Sequence, residues 1–313
     1  MSITMILAAF GGGLFAAAIG GVPSFIFTGL TVVAAILGGA AGAPAIDVVA
    51  FGPWFVPCSA FAGAVAASAY AKRAGILEDG MDIITPLAGL KSPMTLLVGG
   101  IFGVIGIVIE YLVSGLGMLS WTDTVACTVV ISAIIVRLVF TQSGLTGKTP
   151  DGVKREWVPK GKDLSFSIMF GLGGGILAGG IVAILGGMAY DATGNLIDEN
   201  AAWLFTNMGS FAFGIAAIGL IFSCMGKPFF GCHHIIYPAA ATAVVIYSTT
   251  LNALAAIAGA AVMGIFTTWF GEVMGRTFNS YADSHIDPPA CTIFVAQIIN
   301  ASILPMIFVS VLA

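Results

Sequence analysis

Two six-residue words carry the first chemistry in this chain. Asp123 opens DTVACT, and Asp287 opens DPPACT 164 residues later. Each aspartate stands before an apolar run, beside Thr122 or Pro288. A carboxylate so placed can cap the free N–H groups of a helix start and suits the positive end of its dipole. Near a helix break at membrane depth it could instead hold a proton or a sodium ion. Thr128 and Thr292, one helical turn further on, would face a similar direction. Glu110, in GVIGIVIEYLVSG, has no basic neighbour in sequence and is a further ion-coupling candidate. A buried polar partner, protonation or a place near the outer interface would each accommodate it.

Two other stretches could form a binding site. FGPWFVP puts Phe51, Gly52, Pro53, Trp54 and Pro57 inside one apolar run. GKPFFGCHHIIYP puts Pro228, Phe230, Gly231, His233, His234 and Pro238 inside another. Proline removes a backbone donor and clashes with the preceding turn, so both runs predict broken or re-entrant helices. Non-helical backbone at membrane depth is tolerated where it is buried in protein or lines a wet cavity. Matched interruptions are therefore a pointer to a transport site, with a structural kink as the plainer reading. Successive side chains on a helix lie about 100° apart. One of His233 and His234 should therefore line the site and the other pack. Gln297 and Asn300 share a face of the last run, suited to an interhelical hydrogen bond or, through Asn300, a substrate contact. Glu272 and Arg276 form an i,i+4 pair.

The elements that must position these residues follow from composition. Of 313 residues, 58% are hydrophobic and 8% charged. A soluble domain carries about 25% charged residues, so this chain cannot build a water-facing surface and reads as a polytopic membrane protein of the all-α class. Asp47 is the one charged side chain before Lys72. The many glycines and alanines suit close helix packing in a bilayer. Cys58, Cys127, Cys224, Cys232 and Cys291 lie in apolar stretches with no CxxC pair and read as small buried hydrophobes. The N-terminus lacks the positive region of a signal peptide. No basic stripe suggests nucleic acid. No P-loop, nucleophile elbow or HExxH is present, so no enzyme activity, cofactor or metal is expected.

About ten apolar segments are predicted: 3–21, 25–41, 48–70, 93–117 and 124–140, then 164–188, 203–224, 228–249, 251–275 and 288–312. The polar linker 141–163 divides a first repeat, 1–140, from a second, 164–313. With both termini outside, all eleven lysines and arginines fall on the cytoplasmic side, as the positive-inside rule asks. Five segments per half make the halves inverted repeats, an arrangement that lets a site at their interface open to either face. Gly100, Ile101 and Phe102 match Gly264, Ile265 and Phe266 at the same 164-residue offset, and FGPWFVPCSAFAGAVAAS aligns with FGCHHIIYPAAATAVVIY.

FGPWFVPCSAFAGAVAASAYA, followed by WTDTVACTVVISAIIVRLVF, resembles a family of uncharacterised prokaryotic multi-pass proteins described as permease-like. In size and five-plus-five layout the chain is also similar to the bile-acid/sodium symporter and urea transporter families, by architecture alone. The resemblance implies a permease in the cytoplasmic (inner) membrane. The expectation is a transporter for a small polar or anionic solute, working by alternating access between the two broken helices. Sodium or a proton is the candidate coupling ion, and a homo-oligomer the candidate assembly. The alternatives are a channel for a small neutral or anionic solute, or a non-transporting membrane subunit of a larger complex.

Overall fold

The computed structural model describes residues 1–229 and 231–307, and these residues are all-helical, with no strand among them. Along the first part of the chain lie α1 (Ile3–Ile19), α2 (Gly21–Leu37), the single turn α3 (Ala43–Ala45), α4 (Ala60–Arg73), α5 (Pro93–Gly115) and α6 (Thr124–Phe140). After the linker come α7 (Gly161–Ala189), α8 (Glu199–Thr206), α9 (Met208–Ile218), the short α10 (Ile221–Cys224), α11 (His233–Thr250), α12 (Ala253–Phe278) and α13 (Pro288–Ile298). A π-helical turn, Ile299–Ile303, carries α13 onward.

Local chemistry sets many of the boundaries. Ser92 caps α5 through the Thr95 N–H, with Pro93 at the first helical position, where a missing donor costs nothing. Asn252 caps α12 and Asp198 caps α8. Gly20 (φ 100°) turns the chain 117° between α1 and α2. A Cβ there would lie 2.5 Å from the Ile84 carbonyl, so the turn needs glycine for both space and angle.

Four helical stretches are long and apolar enough to cross a bilayer: 93–115, 161–189, 253–278 and 288–307. Taking each of the two bent pairs, α1 with α2 and α8 with α9–α10, as one crossing raises the number to six. The segment expected over 48–70 begins in a π-helical turn, Ile46–Ala50, and is helical again from Ala60, with irregular backbone over 51–59. Large apolar side chains, among them Leu7, Leu112, Leu116, Leu138, Ile184, Leu254 and Val262, point outward and suit a lipid surroundings.

The two parts of the chain pack alike. α1 lies against α4 and α5, while α7 lies against α11 and α12. Small residues make both contacts possible: a Cβ on Gly13 would sit 2.3 Å from the Gly99 carbonyl, and one on Gly264 would sit 2.2 Å from the Gly171 carbonyl. The parts meet chiefly through α2 with α9 and α6 with α13. Four cysteines are buried, but Cys224 is exposed.

One end of the molecule is tied by arginines. Arg137, on α6 and 0% exposed, donates from Nε to the Ser284 hydroxyl (2.7 Å). Its Nη1 donates to the carbonyls of Leu145 (2.7 Å) and Phe278 (2.9 Å), and its Nη2 to that of Ser284. Arg155 of the linker reaches the carbonyls of Arg276 and Thr277, both at 2.7 Å, and stacks on Trp157. These cations meet the C-terminal end of α12, where the helix dipole favours positive charge. The Lys148 N–H donates to the Tyr281 carbonyl, so the linker lies on the loop that follows α12. Arg276 pairs with Asp163 at 2.7 Å and with Glu272 at 3.6 Å.

Candidate functional site

Asp123 and Asp287 are both N-caps. Asp123 Oδ1 accepts from the Ala126 N–H at 2.8 Å, and Asp287 Oδ2 accepts from the Ala290 N–H at 2.8 Å. The capping reading of the repeated words therefore holds, and the carboxylates keep a second role open. The helix starts they cap, at α6 and α13, open into one chamber of about 500 Å³. Each aspartate offers its other oxygen to a partner beside that chamber. Tyr237 Oη of α11 donates to Asp123 Oδ2 at 3.2 Å. His285 Nε2 lies 3.2 Å from Asp287 Oδ1.

The chamber wall is mainly apolar, with Phe25, Phe51, Phe61 and Phe213 among its large side chains, and among the described residues no lysine or arginine lines it. Both interrupted stretches contribute. Phe51 and Pro57 come from the first, and Gly231, His233 and Tyr237 from the second. The backbone freed at the first interruption finds local partners. The Phe55 carbonyl accepts from Thr28 Oγ1 at 2.8 Å, and the Val56 N–H donates to the Gly52 carbonyl at 2.9 Å. The second interruption ends earlier than expected: α11 starts at His233, and Pro238 lies inside it. The Pro238 carbonyl accepts from Thr242 Oγ1 and Asn300 Nδ2.

The two histidines face apart, but His234 lines a second chamber where it was expected to pack. His233 lines the chamber, with Phe25 and Phe213 ring centroids 4.7 and 5.7 Å from its own. His234, its ring turned 84° from that of His233, faces a second chamber of about 530 Å³ beside Thr268, Glu272 and Arg276. The Nδ1 atoms of both histidines are buried without a hydrogen-bond partner. Gly231, Pro288 and Pro289 form a wall common to these two chambers. A third chamber, about 370 Å³, shares Thr122, Asp123, Ser210 and Tyr237 with the first.

Other candidates stand apart from the central chamber. Gly52 packs over its own backbone, where a Cβ would meet the Val48 carbonyl at 1.9 Å, and the Pro53 carbonyl lies against Gly12. Trp54 is 51% exposed and stacks on Phe55. Phe230 lies outside the described residues. Asn300 lines the third chamber, accepting from Thr242 Oγ1 at 2.6 Å and donating to Gln297 Oε1 at 2.9 Å. Glu110 accepts from Ser114, Thr124 and Thr128 hydroxyls, while Thr292 Oγ1 donates to the Pro288 carbonyl of its own helix. Thr128 and Thr292, matched in the words, thus have different partners. Among the described residues no group of three or more His, Cys, Asp or Glu side chains is arranged to hold a metal ion.

His285 was not singled out by sequence reasoning. The signal was its place two residues before the second word. Only the fold brings the Tyr237 hydroxyl to Asp123.

This chain belongs to a family described as a family of unknown function, DUF7973, whose model matches residues 1–155 and 193–312. No curated protein and no solved structure matches it.

Proposed function

We propose that this protein is a membrane transporter for a small solute, with its site in the central chamber. One observation carries the reading: a single cavity takes residues from both copies of the repeated word and from both interrupted stretches. The wall it shares with each neighbouring chamber includes a residue of a repeated word, Asp123 on one side and Pro288 on the other. Three chambers in series, parted by two thin walls, suit a path that opens by alternating access. The halves are inverted repeats in this reading. The like packing of α1, α4, α5 and of α7, α11, α12 supports it, as does the joining of the halves through α2 with α9 and α6 with α13. Ten crossings, some of them half-helices, would then place the arginine-tied end in the cytoplasm and both termini outside.

Flux tests the proposal. Proteoliposomes with the full chain, screened against small solutes, should show saturable uptake that His233→Ala reduces. Flux that does not saturate and ignores proton and sodium gradients would indicate a channel. A solute that binds but never crosses would indicate a non-transporting subunit.

A further inference from the structure

We infer that the central chamber selects a small organic cation, a primary ammonium on an apolar body. The inference rests on the site proposed above and deepens it by naming the solute class. Two carboxylates, Asp123 and Asp287, face the chamber, and no lysine or arginine lines it to balance them. An ionised carboxylate has about four lone-pair positions. Asp123 uses two, on the Ala126 N–H and Tyr237, and Asp287 uses two, on the Ala290 N–H and His285. Acceptor capacity therefore remains on both.

A second observation points to a ligand independently of the carboxylates. His233 lines the same chamber, is 6% exposed, and its Nδ1 has no hydrogen-bond partner. A buried polar atom left unpaired is costly, and a hydrogen-bond donor on a solute would satisfy it when the other ring nitrogen carries the proton. The ammonium offers three such donors. Phe25, Phe61 and Phe213 supply ring faces, which attract a cation and also bury an apolar body. The volume suits a small ligand. An anion finds little here. Two of the helix starts at the chamber, those of α6 and α13, carry aspartate caps whose charge would repel one, the start of α11 carries no side-chain cap, and Arg276, in the neighbouring chamber, is engaged by Asp163, Glu156 and Glu272.

Three phenyl probes of similar shape separate charge from fit: phenethylammonium, 2-phenylethanol and 3-phenylpropionate. Their binding would be measured by calorimetry on the full chain in nanodiscs, against empty nanodiscs. Phenethylammonium should bind at least about tenfold more tightly than either of the others. Asp123→Asn and Asp287→Asn should each weaken it by about tenfold, since asparagine caps a helix as well as aspartate but carries no charge. Equal binding of the three probes, tighter binding of the anion, or no binding of the ammonium would overturn the inference. The probe comparison needs only the unaltered protein, so a variant that fails to fold leaves it decisive. Phenethylammonium that binds but is not carried into proteoliposomes would overturn the transport reading and leave the solute class standing.

Discussion

Tyr237 Oη donates to Asp123 Oδ2 across 3.2 Å, from α11 in the second half of the chain to the start of α6 in the first. A hydrogen bond to a charged group contributes about 1.5–3 kcal/mol. Tyr237→Phe keeps the ring and removes this one bond, so the unfolding free energy of the purified protein should fall by an amount in that range, seen as a lower melting midpoint. An unchanged midpoint would mean that the contact contributes nothing to holding the halves together.

Glu110 accepts three hydroxyl hydrogen bonds, from Ser114 (2.9 Å), Thr124 (2.5 Å) and Thr128 (2.9 Å). Glu110→Gln retains one acceptor oxygen, and its NH₂ can donate to a hydroxyl that turns to accept. Glu110→Leu strands all three hydroxyls, each at about 1–3 kcal/mol if left unpaired. The order of thermal stability should be wild type, then glutamine, then leucine. Leucine equal to wild type would mean that these hydroxyls find other acceptors.

α2 and α9 meet at Gly29 and Gly214. A Cβ on Gly29 would lie 2.6 Å from the Gly214 carbonyl and 2.8 Å from the Ala217 methyl. Gly29→Ala should therefore cost about 1–3 kcal/mol by overpacking. Gly11 has open space around its Cβ direction, so Gly11→Ala within α1 should stabilise by about 0.4–1 kcal/mol. Paired melting curves decide; equal midpoints would show that α2 and α9 do not meet this closely.

Orientation can be read with single cysteines in a background lacking the native five. Gly147 is a poor probe position, because its φ is 78° and a Cβ would lie 2.4 Å from the Ser280 carbonyl. Val153 in the linker and Ile197 before α8 are 46% and 62% exposed. A membrane-impermeant maleimide added to intact cells should label Ile197→Cys and spare Val153→Cys. The reverse pattern would invert the topology.

Much of the site was legible before the structure. Asp123 and Asp287 were marked by their repeated words, and capping followed from their position ahead of apolar runs. The 100° step between His233 and His234 told that the two would face apart, while the second chamber that His234 lines was not legible. Trp54 was not legible in the same way, because hydropathy does not tell irregular backbone from helix, and direction is lost where the helix ends. Its neighbour Phe51 turns inward while Trp54 turns outward. Glu110 with Thr128, and Tyr237 with Asp123, are contacts between helices. Spacing along a chain orders side chains on one helix, and only packing chooses the neighbour. The length of each helix was not legible for a related reason: a long apolar run such as 48–70 bounds the length of a helix without requiring one.

Arg137 gives the molecule unequal ends. At the 164-residue offset that aligns the two words, the position matching Arg137 holds Ala301. The guanidinium therefore has no twin. Parting α6 from the loop after α12 would strip a buried charge of the Ser284 hydroxyl and the Phe278 and Ser284 carbonyls. Breaking up a buried charged contact costs about 3–5 kcal/mol. Parting α11 from the start of α6 breaks the single Tyr237 contact with Asp123. A hinge belongs where the bolt is absent, so the resting protein should yield first on the side of Asp123, and the two halves of the chain cannot play equal parts.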